Sequence, residues 1–211
     1  MDCMYIHELK NWPELTWNQA KLADLLAEVR HLQGRLLGRM EALGFDLREQ
    51  ATLTQDVIKT SEIEGEKLDA AQVRSSIARR LGMDIGATLQ IDRNVEGIVE
   101  VMLDATRKYA SPLTDERLFA WHSALFPTGR SGMRKINVGA WRTKESGSMQ
   151  VVSGPIGREW VHYEAPTYDR LKKEMARFMK WFNAASETDP VIKSALAHFW
   201  FVTIHPFDDG N

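Results

Sequence analysis

Cysteine is almost missing from this chain, since Cys3 is the only one among 211 residues. No intrachain disulfide and no thiolate metal cluster can form, which fits a reducing compartment. A surplus of one charge is missing too. The formal net charge is -2 and the pI about 6.3, so there is no basic footprint of the kind nucleic acid requires. Nucleic acid is therefore not an expected partner. Long apolar runs are absent as well. Ala195 to Ile204 is the most apolar late stretch, and it is short and holds His198, well below the roughly 20 residues of a membrane-spanning helix. The start, Met1-Asp2-Cys3-Met4-Tyr5, lacks the basic and apolar regions of a secretory signal. Together these absences favour a cytoplasmic protein without a membrane partner. With 44% hydrophobic and 27% charged residues, the chain can nevertheless bury a substantial core.

Helical punctuation dominates what is there. Thr16 and Gln19 have capping-box spacing ahead of a run at helical period through Leu22, Leu25, Leu26, Val29, Leu32, Leu36 and Leu37, which Gly44 stops. A second helix carries Leu47, Leu53, Val57 and Ile58 up to Gly65, and Asp69 starts a third. Ile91 to Leu103 marks a fourth helix, closed by Lys108 and Tyr109 before Pro112. A domain seam is expected near Gly86, dividing 1–86 from 87–211. Thr114 caps a fifth helix, Thr167 a sixth, and Asp189-Pro190 a seventh that ends before Pro206. Between them, residues 129–166 are glycine-rich and lose helical period. A β-hairpin is predicted there, with arms Met149 to Val152 and Glu159 to Tyr163 around Ser153-Gly154-Pro155-Ile156-Gly157. The expected fold is mainly α with one small hairpin.

The chain finishes on His205-Pro206-Phe207-Asp208-Asp209-Gly210-Asn211, a polar loop directly after an apolar helix. Phe201, Ile204 and Phe207 can anchor both sides of this loop and hold His205 rigidly. A fixed imidazole, with an unperturbed pKa of roughly 6.5, is suited to act as a general base near neutral pH. Asp209 offers a hard oxygen ligand for Mg²⁺, and Gly210 and Asn211 offer backbone N–H groups for an anion. By His205 alone, a buried helix cap followed by a turn-rich tail is the favoured reading. His122 and His198 sit among Trp and Phe and read as core or interface residues, and His162 reads as exposed. No His/Cys metal cluster is apparent.

A second unusual string is Thr60-Ser61-Glu62-Ile63-Glu64-Gly65. Its glutamates crowd the negative end of a helix dipole, where cations are preferred. Leu53, Val57, Thr60 and Glu64 share one face by their 4-3-4 spacing, so Glu64 follows the apolar side and needs a cation or donors. A solvated acidic helix end with Gly65 as its cap is the plainer alternative.

His205 to Asn211 resembles the signature of the Fic family, His-Pro-Phe-x-Asp/Glu-Gly-Asn-Gly-Arg-x-x-Arg, at every position present. Thr60 to Gly65 is similar to that family's inhibitory motif, Ser/Thr-x-x-x-Glu-Gly/Asn. The resemblance implies a Fic-type helical core with a hairpin flap, preceded by a helical N-terminal domain that carries the inhibitory helix. It implies a protein adenylyltransferase, which moves AMP from ATP to a Ser, Thr or Tyr hydroxyl of a target protein or of itself. In that assignment His205 is the base, Asp209 holds Mg²⁺, Gly210 and Asn211 bind the nucleotide, and Phe207 is a structural anchor. Glu64, within the motif of Thr60 and Gly65, blocks productive ATP placement. Val151, Val152, Trp160 and Val161 of the flap bind the target, and Arg142 near the flap's base helps hold it or contacts ligand. A homodimer is also implied. The family's second glycine and both arginines lie beyond Asn211, so the chain as given is expected to be impaired. Two alternatives accompany this reading: a hydrolase that removes AMP through the same site, and a non-catalytic interaction module.

Overall fold

Helix boundaries follow the sequence punctuation closely in a computed structural model of the chain. It describes residues 4–41, 46–63, 65–83, 90–155 and 157–211, except for the side chains of 39–41 and 46–49. In chain order the elements are α1 (Gln19–Glu41), α2 (Asp46–Ile63), α3 (Ala70–Arg80), α4 (Arg93–Arg107), α5 (Asp115–Leu125), β1 (Arg130–Ser131), β2 (Arg134–Lys135), β3 (Gln150–Ser153), β4 (Trp160–Glu164), α6 (Tyr168–Asn183) and α7 (Pro190–Ile204). The mainly α class and the 150–164 hairpin are as expected. None of the described helices is long and apolar enough to cross a membrane.

Local chemistry explains most of the termini. Asp69 accepts from the amides of Ala71 and Gln72 at 2.8 and 2.9 Å, satisfying two otherwise orphaned donors of α3. Asp189 does the same for Val191 at 2.9 Å, with Pro190 in the first helical position. Thr114 accepts from Arg117 N–H at 3.2 Å. Gly65, at φ 82°, turns the chain out of α2, and the Glu66 amide returns to Ser61 O at 2.9 Å. Thr167 precedes α6 as expected, but its hydroxyl makes no capping bond.

Two compact units emerge. One comprises Met1–Asn18, Pro112–Phe119 and Gly129–Asn211; the other comprises Gln19–Ser111 and Ala120–Thr128. The seam expected near Gly86 and the helix stop at Gly44 lie outside the described residues.

In the Gln19–Ser111 unit, α2, α3 and α4 bury Leu53, Val57, Val73, Ile77, Val95 and Val99 as one core. Gly97 lies where α4 approaches the end of α5: a Cβ there would stand 1.9 Å from Ala124 O. Gly97→Ala is consequently expected to destabilise the protein by about 1–3 kcal/mol through overpacking. At an ordinary helix site the same change stabilises by up to about 1 kcal/mol. A fall in the urea midpoint checks the sign, and a rise would refute the close approach. The apolar run of α1 contributes little to this core. Leu26 is buried, but Leu25, Val29, Leu32, Leu36 and Leu37 are exposed, and no α1 residue belongs to the core cluster.

In the other unit, α6 and α7 meet through aromatic rings. Trp200 packs against Trp181 at 5.2 Å and Phe178 at 5.6 Å, and Trp12 closes on Trp200 at 5.9 Å. The N-terminal segment is held by polar bonds to α6. Trp12 Nε1 donates to the buried carboxylate of Glu174 at 3.0 Å, and Arg177 donates to Trp12 O at 3.0 Å. Glu174 is also paired with Arg170 at 3.1 Å, so its burial is compensated. This commitment of residues 5–18 explains why α1 starts at Gln19 rather than just after Thr16, where the capping-box spacing placed it.

Candidate active site

The loop after α7 is built on an unusual backbone. The His205 amide still completes the helix, donating to Phe201 O at 3.0 Å. His205 itself adopts φ 51° and ψ 63°, the left-handed region, and is the only described non-glycine residue at positive φ. For an L-residue with a full side chain this costs roughly 1–2 kcal/mol, so the surroundings must enforce it. Pro206 cannot continue the helix, and Ile204, Pro206 and Phe207 are all buried. Phe207 sits among Trp141, Phe201 and Phe119, with ring centroids 4.9, 6.3 and 6.5 Å away.

Arg142 is the main enforcer. Its side chain is almost wholly buried and donates from Nε to His205 O at 2.8 Å and from Nη2 to Pro166 O. Its own amide donates to Pro206 O at 2.9 Å. One residue thus grips both carbonyls at the turn and joins them to the segment that follows β4. Burial pulls the guanidinium pKa down, while the nearby negative charge of Asp208 opposes that shift. The sequence marked Arg142 for its place beside the flap, but gave no sign of these carbonyl partners.

Asn211 closes the far side. Its carboxamide accepts from Phe207 N–H at 2.6 Å and donates to Phe207 O at 3.1 Å. Gly210, at φ 69°, donates to Asp209 Oδ1 at 2.8 Å. The β1–β2 hairpin, which sequence reasoning did not resolve, adds a third support. Ser131 Oγ donates to Asp209 Oδ2 at 2.5 Å, Arg134 to Asp208 O at 3.1 Å, and Asn137 N–H to Asp208 Oδ2 at 2.9 Å. Asp208 Oδ1 is buried without a hydrogen-bond partner. The turn signal for this hairpin was Gly132, at φ 54°.

His205 is half-buried, and burial is the largest cause that lowers its pKa. The positive charge of Arg142 lowers it further, while Asp209 and the Val202 backbone oppose the shift. Both leading causes favour the neutral form of the imidazole. Asp209 is exposed, and its carboxylate is fixed by Ser131 and Gly210 while it faces solvent. Such a carboxylate suits Mg²⁺, which typically takes one or two carboxylates and completes its shell with phosphate oxygens and water. No cluster of three or more metal-ligating side chains occurs among the described residues.

The β3–β4 hairpin lies in the same unit, anchored to α7 by Tyr163 Oη donating to Thr203 O at 2.6 Å. Burial raises the Tyr163 pKa and keeps this donor protonated. Register pairs Val151 with Tyr163 and Val152 with Val161, with an irregularity between the two valines. Val151, Val152 and Trp160 are exposed and Val161 is half-buried. His162 is exposed and bonded to Ser153 Oγ at 2.6 Å. His122 is buried, as expected, whereas His198 is exposed: it lies on the solvent side of α7 while Ala197 and Trp200 face inward. Thr60 and Gly65 belong to the other unit, and Glu64 lies outside the described residues.

An αL histidine, its carbonyl held by a buried arginine and followed by a carboxylate-bearing turn, thus closes an apolar helix in a mainly helical domain. Residues 112–211 are a Fic/DOC family domain, matched over that whole span. Residues 5–83 match a second family, described as Domain of unknown function (DUF4172). Among curated proteins, the "Protein adenylyltransferase Fic" of Culex quinquefasciatus is 27% identical over 174 residues, covering 80% of this chain and 31% of that protein. Proteins of the same name from Drosophila ananassae and Drosophila mojavensis are 26% and 25% identical over 162 residues, each covering 74% of this chain and 29% of the relative. The chain thus spans under a third of the length of these relatives.

Proposed function

We propose that this domain transfers AMP from ATP to a hydroxyl side chain of a protein. The observation that carries the proposal is the locked loop: His205 held at positive φ by Arg142, followed by Asp209 tethered to Ser131 and Gly210. That loop coincides with the Fic signature, and the similar curated proteins are named adenylyltransferases.

In the proposed reaction a Ser, Thr or Tyr hydroxyl oxygen forms a bond to the α-phosphorus of ATP. The bridging bond to the β-phosphate breaks, pyrophosphate leaves with that electron pair, and the hydroxyl proton passes to neutral His205. Asp209 would hold Mg²⁺, which supplies charge neutralisation to the α- and β-phosphates. Gly210, whose N–H donates to Asp209 Oδ1 here, would have to exchange that bond to serve the phosphates, and Asn211 would bind the nucleotide side of the loop while its carboxamide keeps the turn at Phe207 closed. Positioning and electrostatics on a preorganised loop then supply most of the acceleration. The exposed β3 edge, with Val151 and Val152, and Trp160 and Val161 on β4, would receive the target segment by strand addition. The test is incubation with ATP and Mg²⁺ followed by intact-mass analysis. Gain of AMP on the chain or on a captured target is expected, and absence of nucleotide binding would favour an interaction module.

Glu64 is assigned the inhibitory role, supported by the Thr60–Gly65 string at the end of α2 and by the left-handed Gly65 that terminates it. Glu64→Gly is expected to raise AMP incorporation about 5–150-fold, the usual range of regulatory coupling. An unchanged rate in a variant that still binds ATP would remove this assignment.

A further inference from the structure

The β3–β4 hairpin has little core of its own. Every residue of β3 is exposed, and none of β4 is buried. A two-stranded hairpin is at best marginally stable in water and needs support on one face. Here that support converges on Tyr163 and Glu164, the last residues of β4. The Tyr163 hydroxyl is held on Thr203 O, and its ring is covered by the N-terminal segment. Tyr5 meets that ring edge-on at 5.5 Å between centroids and His7 does so at 5.9 Å, while Tyr5 and His7 stack on each other at 6.0 Å. His7 Nε2 donates to Glu164 O at 2.8 Å, because a carbonyl can only accept. Arg170 donates to His7 O at 2.9 Å and brings Nη1 to 3.4 Å from His7 Nδ1. The Glu164 carboxylate ties β4 back across the hairpin, accepting from Ser148 Oγ at 2.5 Å and Gln150 Nε2 at 2.9 Å.

We infer that residues 5–12 form a brace that sets the pose of the β3–β4 hairpin, with Tyr5 and His7 as positioning residues, given that this hairpin is the surface proposed above to receive the target. The brace is itself firmly placed. The Tyr5 amide donates to Glu8 Oε2 at 2.8 Å and closes a 3-10 turn over Ile6–Glu8. Trp12 is fastened to α6 by its 3.0 Å bond to Glu174 and to α7 by its ring contact with Trp200 at 5.9 Å. Although residues 5–83 match a family of their own, residues 5–18 pack in the same unit as the hairpin and the loop after α7. An edge that adds a target strand binds best when it is ordered beforehand, since ordering it on binding costs affinity. Tyr163, under the brace, is also bonded to Thr203 O, two residues before His205. The edge that aligns a target and the histidine that takes its proton therefore share one support.

The test is amide hydrogen exchange of the 211-residue chain, read over β3 and β4 in the absence of ATP. His7→Ala removes the donor to Glu164 O, and Tyr5→Ala, at a half-buried position, removes one ring from Tyr163. Each is expected to speed exchange in the hairpin about tenfold while α6 and α7 stay near wild type. His7→Gln should recover most of the protection, because its carboxamide can still donate to Glu164 O. At saturating ATP, AMP incorporation into the chain itself should fall in both alanine variants and recover in His7→Gln, whereas the affinity for a fluorescent ATP analogue stays unchanged. Unaltered exchange in the hairpin would overturn the inference. So would equal acceleration throughout α6 and α7, which would make residues 5–12 a general staple of the unit. A loosened hairpin that still incorporates AMP at the wild-type rate would overturn the positioning role. A wild-type chain that incorporates no AMP would count against AMP transfer instead, and hydrogen exchange would still decide the brace.

Discussion

Replacing His205 with asparagine is expected to cut AMP transfer by about 10²–10⁴-fold, the usual contribution of a positioned general base, while ATP affinity and the unfolding temperature stay near wild type. Asparagine is chosen for a backbone reason. His205 sits at φ 51°, and asparagine tolerates the left-handed region better than alanine, so the substitution removes basicity without adding strain. The carbonyl that Arg142 holds at 2.8 Å is main chain and survives the change. Incorporation of label from ATP carrying it on the α-phosphate reads the rate, and undiminished labelling would exclude His205 as the base.

The same residue sets a pH signature. Burial, then Arg142, depress the imidazole pKa in the folded protein below the roughly 6.5 of an unfolded chain. The folded state therefore binds fewer protons than the unfolded state through this window. The stability tied to neutral His205 is complete above about pH 6.5 and is lost as pH falls from there through the folded pKa. Denaturant titrations of the metal-free protein should show this loss in wild type and lack that component in His205→Asn. Activity should be flat through neutrality, with its acid limb displaced below about pH 6.5.

Most of the helical scaffold was legible because its signals are local. Asp69, Asp189-Pro190 and Gly65 act on their own neighbours in the chain, and they do so in the structure. The loop after α7 stood out as a string because its residues are contiguous. What holds the loop was not legible, since its partners are distant in sequence: Arg142 is 63 residues from His205, and Ser131 is 78 from Asp209. The exposure of the α1 run was not legible either. Helical periodicity states that a face is apolar without stating what covers it, and here only Leu26 is buried within it. Residues 5–18 show the converse: a segment early in the sequence packs on α6 through Trp12, Glu174 and Arg177.

Arg142→Leu is expected to destabilise the protein by about 3–5 kcal/mol, among the largest effects of any single substitution outside a cavity-forming core. The loss has two sources. The carbonyls of His205 and Pro166 would remain in place without donors, at about 1–3 kcal/mol each. Asp208, whose Oδ1 already lacks a hydrogen-bond partner, would also lose its nearby compensating charge. At roughly 2–4 °C per kcal/mol for a chain of this size, the unfolding temperature should fall on the order of 10 °C. Arg142→Lys separates charge from geometry. A lysine keeps the positive charge but lacks the planar fork that reaches two carbonyls at once. It should recover part of the stability while AMP transfer, measured well below the unfolding temperature, stays depressed, because His205 would no longer be held at its left-handed angle. Full recovery of transfer by lysine would show that Arg142 contributes only its charge.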